Sequence, residues 1–430
     1  MGVTAARPHI AAAPPEAVLA HISAGTDIIV PLANGEPVTL LDAIEQHESS
    51  LSGVRVHQMH ALRDRPYLHG ECGDRLRHVS YFLSHVTRPC FRAGTIDLVP
   101  NNFSEMRSIL KSATSDPLVI ASASPPDRHG YFSLGLNADY VSSFIGRARF
   151  FLEANRQMPR TFGRNQVHIS QVVGWSNADY PLTTVAPASA NDADTRIAAL
   201  VAERIKDTST LQIGIGAIPN AILSALTGHR DLGIHTELLS DGVMDLVEAG
   251  VVNGVAKELN RTKTVGTFAL GTQRLYDFLD ENTAFEMWPV RYVNDPRVIA
   301  QETDFVSINS TISVDLLGQC ASETVNGLYY SSSGGQADFA RGAMYSAGGQ
   351  GFVVLHSTTA DEAVSKVVPQ LAPGDVVTTL KNTVDKVVTE WGVAELRGHS
   401  IRERAGALIS IAHPTHRADL TSAAKRLGYI

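Results

Sequence analysis

Short apolar runs that alternate with amphipathic helical stretches constrain the fold of this 430-residue chain more than any other feature. In the second half, the pattern predicts a strand at 210–213, a glycine turn at 214–219, a helix at 220–227 and a further strand at 233–236. A strand, a helix and a second strand at this spacing are typical of the βαβ unit, which builds parallel sheets. Continuous apolar runs such as 117–121 predict strands that are buried on both faces of such a sheet. The predicted fold class is therefore α/β with mainly parallel sheets.

Further segments continue the alternation. The remaining predicted strands lie at 27–30, 166–170, 267–270, 305–308, 351–355, 376–380 and 387–389, and the remaining helices at 196–206, 241–249 and 402–412. Between residues 177 and 194 the chain loses periodicity and becomes rich in Pro, Ser, Asn and Asp, which is typical of a linker. We therefore predict two domains, 1–185 and 186–430.

Composition excludes several classes of function. The formal net charge is -8, from 44 acidic and 36 basic residues, which argues against a sequence-independent nucleic-acid binder. No apolar run is long enough to span a bilayer, and the N-terminus has no secretory signal pattern, so we expect a cytoplasmic protein without a membrane segment. The three cysteines, Cys72, Cys90 and Cys320, form no CxxC pair, and the histidine pairs lack further ligands at metal-binding spacing, so no metal site is predicted.

The glycine turn at 214–219 follows a strand and opens a helix. Glycines let a backbone approach a ligand, and the free N–H groups at a helix start favour an anion. A dinucleotide site is one interpretation, but Pro219 stands where its third glycine should be. A purely structural turn and a site for another anionic or acyl ligand are the alternatives.

Glu237 directly follows the apolar strand predicted at 233–236. Ligands of open α/β sheets bind beyond the carboxyl ends of the strands, so Glu237 and the glycine turn are expected at one crevice. The alternative is a solvated carboxylate near the positive end of the next helix, which Ser240 or Asp241 would cap.

Several long motifs, in order along the chain, resemble the family I coenzyme A transferases, in the acetyl-CoA hydrolase/transferase subgroup that includes 4-hydroxybutyrate CoA-transferases. The similar segments are IGIGAIPNAI at 213–222, DLGIHTELLSDGVMDLVEAGVVNG at 231–254, SPPDRHGYFSLG at 124–135, NRQMPRT at 155–161, SGGQADFARG at 333–342, TEWGVA at 389–394 and IAHP at 411–414. Trp391 and Ala217 depart from the family, which often has Tyr and Gly there.

The resemblance implies two similar open α/β domains with the active site between them, and a glutamate nucleophile that matches Glu237. It also implies an oxyanion-hole and CoA-contact loop, which matches Gly214, Ile215, Gly216, Ala217, Ile218 and Pro219. A second CoA-contact region of the family matches Gly334 and Gly335. Asn309 ends another predicted strand, and in such an enzyme we expect it to orient the acyl or CoA carbonyl.

The expected activity is CoA transfer from a short acyl-CoA to a small carboxylic acid, with coenzyme A as substrate and without a tightly bound cofactor. Acids of the 4-hydroxybutyrate, succinate, itaconate or acetate type are candidate acceptors. An acyl-CoA hydrolase, an NAD(P)-binding oxidoreductase and a non-catalytic CoA-binding protein are the alternatives. The family resemblance and a core of this size favour a homodimer or larger homo-oligomer.

Overall fold

The structure, a computed structural model, describes residues 10–430, which form two compact units. The first unit contains residues 10–101, 105–184 and 267–291. The second contains residues 102–104, 185–266 and 292–430. Each unit is therefore assembled from separate stretches of the chain. The division into domains at 185/186 stays a prediction, and it does not anticipate the segments 102–104 and 267–291.

The strands are mostly short. In chain order they are β1 Asp27–Val30, β2 Val54–Gln58, β3 Leu76–Ser80, β4 Asp97–Leu98, β5 Leu118–Ala123, β6 Tyr131–Ser133, β7 Arg149–Asn155, β8 Phe162–Gly163, β9 Gln166–His168, β10 Val172–Ala178, β11 Thr210–Ile213, β12 Gly233–Ile234, β13 Leu238–Leu239, β14 Thr264–Gly266, β15 Phe268–Ala269, β16 Phe285–Met287, β17 Phe305–Ser310, β18 Ser313–Asp315, β19 Cys320–Ala321, β20 Thr324–Val325, β21 Leu328–Tyr329, β22 Gln350–Val354, β23 Val367–Val368, β24 Lys386–Thr389 and β25 Gly392–Glu395.

The α-helices lie between these strands along the chain, and short 3-10 helices are interspersed among them. They are α1 Val38–Gln46, α2 Thr87–Ala93, α3 Met106–Ala113, α4 Asp192–Ala202, α5 Ala217–Ala225, α6 Asp241–Glu248, α7 Gln273–Leu279, α8 Val290–Val293, α9 Pro296–Ile299, α10 Gln336–Tyr345, α11 Ile401–Ile411 and α12 Arg417–Arg426. Within residues 10–430 no helix is both long and apolar enough to cross a bilayer.

A seven-stranded parallel sheet forms the centre of the first unit, in the order β10-β7-β5-β1-β2-β3-β4. Every residue of β1 and β5 is buried, as expected for central strands covered on both faces. The chain builds outward from β1 through β2, β3 and β4, and then returns to add β5 on the other side. The direction in which successive strands are added to the sheet therefore switches between β1 and β5.

The second unit has a six-stranded sheet in the order β12-β11-β17-β22-β24-β25. Its strands pair in parallel except for the last pair, β24 and β25, which is antiparallel. Here the direction switches between β11 and β17, because β12 lies on one side of β11 and β17 on the other. The α/β class with mainly parallel sheets is confirmed in both units.

Most predicted elements are present, with shifted ends. The strand at 210–213 is found as predicted, whereas the predicted helix at 220–227 begins earlier, at Ala217. Pro219 does not prevent this start, because the first turn of a helix has no intrahelical partner for its N–H groups. The strand predicted at 376–380 is wrong, since only an isolated bridge joins Thr379 to Cys320 there.

The carboxylate of Glu153, on β7, holds the beginning of α1. It accepts backbone N–H groups from Val38 at 3.1 Å, Thr39 at 2.6 Å and Leu40 at 3.3 Å, and the hydroxyl of Tyr180 also donates to it. A helix start leaves such N–H groups without intrahelical partners and favours negative charge. Burial raises the pKa of Glu153, while the hydrogen bonds from Thr39 and Tyr180 oppose that shift.

Replacing this carboxylate should therefore destabilise the first unit. We expect Glu153→Ala to lower the free energy of unfolding by about 3 kcal/mol, because several buried donors lose their acceptor. Urea denaturation followed by circular dichroism measures the change. The control is Glu71→Ala, at an exposed position, which should stay within about 0.5 kcal/mol of wild type. Equal losses in the two variants would contradict this role for Glu153.

Candidate active site

Three neighbouring strands of the second unit end at the same edge of its sheet. Glu237 lies three residues beyond β12, the glycine turn begins directly after β11, and Asn309 is the penultimate residue of β17. The chain between β12 and Glu237 is held in place, since His235 N–H donates to the Leu211 carbonyl at 3.0 Å. The predicted residues on these strand ends therefore meet at the edge where ligands of open α/β sheets bind.

Two donors meet the carboxylate of Glu237. The side-chain amide of Asn294 donates to Oε2 at 2.8 Å, and the backbone N–H of Gly335, just before α10, also donates to the carboxylate. Asn294 is completely buried, whereas Glu237 is half-buried. The carboxylate is thus held from two sides, in a residue that is itself partly exposed.

The surroundings of Glu237 raise its pKa to about 7. Burial is the largest cause, because it disfavours the charged form, and the negative charge of Asp338 adds to it. The hydrogen bonds from Asn294 and Gly335 act in the opposite direction. Near neutral pH this carboxyl group therefore exists in both protonation states.

Glycine is the only residue type that fits at position 335, beside this carboxylate. A Cβ atom at position 335 would lie 2.0 Å from Oε2 of Glu237 and 2.3 Å from Nδ2 of Asn294. Neither distance is compatible with a side chain. The absence of a Cβ atom is what lets the Gly335 N–H reach Glu237.

Asp338 is itself held by the short segment 102–104. The backbone N–H of Ser104 donates to Oδ2 of Asp338 at 3.0 Å, and its hydroxyl donates to Oδ1 at 2.8 Å. Phe103 N–H donates to the carbonyl of Gly334 at 3.1 Å. Two residues from a distant part of the chain, Phe103 and Ser104, therefore fix the start of α10, which follows the glycine that contacts Glu237.

His235 supports the same constellation from the core. Its Nε2 contacts the carbonyl of Val293 at 2.8 Å, one residue before Asn294. The ring packs against Tyr292 and Phe305. Burial, followed by the charge of Lys257, lowers the pKa of His235 to about 3. His235 is therefore a neutral packed histidine that positions the segment carrying Asn294.

The glycine turn has the geometry of a close backbone approach. Gly216 has a φ of 123°, which a residue with a side chain rarely adopts, and Gly214 N–H donates to the Ile308 carbonyl at 3.1 Å. Ile215 is 62% exposed, whereas Ile218 and Pro219 are buried. Ala217 begins α5, so the N–H groups that lack intrahelical partners belong to the first turn after Gly216. The side chains of Ile218 and Pro219 pack inward, which leaves only their backbone for a CoA contact.

The amide of Asn309 already has protein partners. Its Nδ2 donates to Oε1 of Gln212 at 3.1 Å and to the Ser307 hydroxyl at 3.0 Å, while its Oδ1 accepts from Gln212 at 3.1 Å. Contact with a substrate carbonyl would require Asn309 to exchange one of these bonds. The assignment of Asn309 to an acyl or CoA carbonyl stays a prediction, as do the CoA contacts at the glycine turn, Gly334 and Gly335.

Sequence reasoning missed Asn294 and Ser104. Neither lies in a segment singled out by a motif, and they stand 57 and 133 positions from Glu237 in the chain. An Asn-Asp-Pro turn at 294–296 was the only local signal, and it indicates a helix start rather than a partner for a carboxylate. Within residues 10–430 no three His, Cys, Asp or Glu side chains gather as ligands for a metal ion.

Comparison with known protein families gives two matches that together cover most of the chain. Residues 11–185 match the family described as acetyl-CoA hydrolase/transferase N-terminal domain. Residues 271–424 match the acetyl-CoA hydrolase/transferase C-terminal domain.

Individual relatives match over nearly their whole length. The chain is 43% identical over 417 residues to a succinyl-CoA:cyclohexane-1-carboxylate CoA transferase of Geobacter metallireducens, covering 97% of this chain and 95% of that protein. It is 39% identical over 413 residues to a 4-hydroxybutyrate coenzyme A transferase of Clostridium kluyveri, covering 96% of each. The crystal structure of RipA from Yersinia pestis superimposes with a TM-score of 0.93 at 37% identity, over 97% of this chain and 98% of that chain.

The close contact between Gly335 and Glu237 can be tested by stability alone. We expect Gly335→Ala to lower the free energy of unfolding by about 1–3 kcal/mol, because the added methyl group forces Glu237 and Asn294 apart. Thermal unfolding measures the loss. The control is Gly228→Ala, where no atom lies within 4 Å of the added Cβ. A Gly335→Ala variant as stable as this control would contradict the described geometry.

Proposed function

We propose that Glu237 is the nucleophile of this chain, which belongs to the acetyl-CoA hydrolase/transferase family and is a CoA-transferase. The observation that supports this role most directly is the half-buried carboxylate that faces the Gly335 N–H at the edge where three strands end. An ionised carboxylate needs no general base to act as a nucleophile. A histidine or cysteine is therefore not required for the covalent steps.

The first half of the reaction loads coenzyme A onto the enzyme. A carboxylate oxygen of Glu237 attacks the thioester carbonyl of acyl-CoA, the C–S bond breaks, and CoA leaves as a thiolate. The product is an anhydride between the acyl group and Glu237. The thiolate then attacks the glutamyl carbonyl, which forms a glutamyl-CoA thioester and releases the donor acid as a carboxylate.

The second half runs the same steps in the opposite direction. The acceptor carboxylate attacks the glutamyl thioester, CoA leaves again as a thiolate, and a new anhydride forms. The thiolate attacks the acyl carbonyl of this anhydride. The products are the new acyl-CoA and the free carboxylate of Glu237, so the thioester energy is conserved throughout.

Each addition creates an oxyanion that needs donors. We assign this role to backbone N–H groups of the glycine turn, because Ala217 and Ile218 precede the first bond of α5, from Asn220 N–H to the Gly216 carbonyl. Gly335 N–H and the Asn294 amide hold the attacking carboxylate in position. Gly214 to Pro219, Gly334 and Gly335 would then follow the pantetheine arm of the substrate, with Asn309 beside its carbonyl.

The substrates follow from the family and from the named relatives. We infer a short acyl-CoA as donor and a small carboxylic acid as acceptor, of the 4-hydroxybutyrate, succinate, itaconate or acetate type, with coenzyme A as a substrate rather than a tightly bound cofactor. We further infer a homodimer or larger assembly. The three free, buried cysteines support a reducing compartment such as the cytoplasm.

A covalent adduct tests the nucleophile. Incubation with an acyl-CoA and no acceptor should add the mass of coenzyme A to the peptide that contains Glu237, as read by mass spectrometry of the intact and digested protein. Glu237→Gln should give no adduct and lose more than about 1,000-fold in kcat, because the nucleophile is gone. Glu203→Gln, at an exposed position, is the matched control and should behave as wild type.

The same experiment separates transfer from hydrolysis, which the family description also covers. Release of free CoA at the same rate with and without an acceptor acid would indicate an acyl-CoA hydrolase. An adduct on another residue, or full turnover in Glu237→Gln, would reject the assignment of the nucleophile.

The pH dependence of kcat/KM tests the environment of the carboxylate. Glu237 must be ionised to attack, so kcat/KM should rise with pH up to a plateau, with a midpoint at about 7. Asn294→Ala removes a donor that stabilises the charged form, so the midpoint should move to higher pH. Stopped reactions between pH 5 and pH 9 measure both profiles. An unchanged midpoint in Asn294→Ala would show that this amide does not set the ionisation of Glu237.

A further inference from the structure

The helix that follows Gly335 adds an electric field of its own at Glu237. α10 begins directly after Gly335, and the N–H of Phe339 donates to the Gly335 carbonyl at 3.0 Å in its first turn. Because the N–H of Gly335 donates to the Glu237 carboxylate, the positive end of the α10 dipole lies beside that carboxylate. This field alone would favour the ionised form of Glu237, but it would also make the carboxylate less basic and therefore a weaker nucleophile.

Asp338 places a negative charge in the same turn. It is the third residue of α10, and its side chain is buried. A helix dipole leaves about +0.5 of an elementary charge at the N-terminus, whereas an ionised carboxylate carries a full negative charge. The charge of Asp338 is therefore large enough to cancel the field of the helix. It opposes the ionisation of Glu237, which agrees with its contribution to the raised pKa of Glu237.

Hydrogen bonds from two other segments fix this turn and its charge. Ser104 donates its backbone N–H and its hydroxyl to the two carboxylate oxygens of Asp338, at 3.0 and 2.8 Å. Donors of this kind favour the charged form of a carboxyl group, so they counteract the burial of Asp338. Gln336, the first residue of α10, is held separately, since its Nε2 donates to the Thr379 hydroxyl at 3.1 Å. The Asp338 carboxylate is therefore held in a fixed place relative to Gly335.

Asp338 is the source of the charge that acts on Glu237. The segments around Glu237 carry further titratable side chains, namely His235, Asp241, Lys257, Asp295 and Arg341. His235 is uncharged at neutral pH, and the carboxylate of Asp295 accepts from the guanidinium of Arg297 at 2.7 Å. Among residues 10–430, Asp338 alone contributes a charge to the pKa of Glu237. A change at position 338 is therefore the direct way to alter this field.

We propose that Asp338, held by Ser104, is a positioning residue of the transfer reaction that keeps the Glu237 carboxylate reactive by opposing the field of α10. Gly335 and Asn294 hold the carboxylate in place, and Asp338 limits how strongly these donors and the helix stabilise its charge. Asp338 acts through the electric field at Glu237 and not by contact with the reacting atoms. This inference rests on the proposed function, since it assigns a role in the same attack on the thioester.

Asp338→Asn removes the charge and keeps the size of the side chain. Its carbonyl oxygen can still accept the Ser104 N–H, and its amide can donate to the Ser104 hydroxyl oxygen. The midpoint of the kcat/KM profile should fall by about 0.5–1 pH unit, because the ionisation of Glu237 no longer meets a like charge. The plateau at high pH should fall about 3- to 10-fold, because a less basic carboxylate is a weaker nucleophile.

Three further variants separate the charge from the packing of the turn. Asp338→Glu retains the charge, so its midpoint should not move to lower pH. Ser104→Ala should lower the Tm of wild type more than that of Asp338→Asn, because a hydrogen bond to a charged acceptor is the stronger one. The matched control is Asp419→Asn, which removes an exposed charge from the same position of α12 and should keep the wild-type profile.

A direct titration of Glu237 keeps this inference distinguishable from the proposed nucleophile. Nuclear magnetic resonance of the glutamate carboxyl carbons reads the pKa of Glu237, with Glu237→Gln to identify its signal, and this pKa should fall in Asp338→Asn together with the kinetic midpoint. A uniform loss of kcat/KM in Asp338→Asn, with the pKa of Glu237 and the midpoint unchanged, would overturn the inference. A lower pKa in Asp338→Asn without any CoA adduct on Glu237 in wild type would reject only the proposed function.

Discussion

Folding removes water from the carboxylate of Glu237, and its hydrogen bonds replace only part of that hydration. Several segments of the second unit together maintain this balance. Burial and the charge of Asp338 disfavour its ionised form, while the N–H of Gly335 and the amide of Asn294 favour it. More hydrogen-bond donors would keep the carboxylate ionised but would lower its nucleophilicity. Deeper burial would keep the carboxyl group protonated. The observed balance leaves a carboxyl group that can ionise at neutral pH and that meets two donors among residues 10–430.

Holding that balance requires segments that are remote in sequence. Gly335 is fixed through the start of α10, to which Ser104 contributes two hydrogen bonds by way of Asp338. Asn294 is fixed through the neighbouring Val293, whose carbonyl meets His235. The geometry around Glu237 is therefore a property of the whole packed unit, and the motif that contains Glu237 supplies only one of its parts.

This distribution explains how far the sequence could be interpreted. Local periodicity predicts the strand at 210–213 and the neighbourhood of Glu237, because strands and their ends follow from short-range patterns. It could not pair Glu237 with Asn294 or Ser104, since no local pattern relates residues that meet only after folding. The run at 376–380 has strand-like composition, but its N–H groups go to Cys320 and to the side chain of Thr324 instead of a neighbouring strand.

The same limit applies to the histidines near β2. In sequence, His57 and His60 look like a pair, and the spacing raised only the question of a metal. In the structure they face different surroundings, because His57 lies within β2 and bonds to Asp27 and Tyr81, whereas His60 follows the strand in a left-handed conformation. A backbone angle, which sequence alone does not reveal, separates the histidine within the strand from the one that follows it.

The first unit is built from separate stretches of the chain, so its folding during synthesis depends on residues that are made late. Its last piece, residues 267–291, contributes β16 as a parallel partner of β8 and places the hydroxyl of Tyr276 between Asn34 and the carbonyl of Thr183. A ribosome reaches the end of this piece roughly 5–20 s after residue 184, at usual rates of synthesis. Until then the nascent N-terminal half lacks contacts that only later chain can provide. The folding of the two units during synthesis therefore overlaps in time. A chain that ended at the linker would lack residues 267–291 and could not complete the first unit.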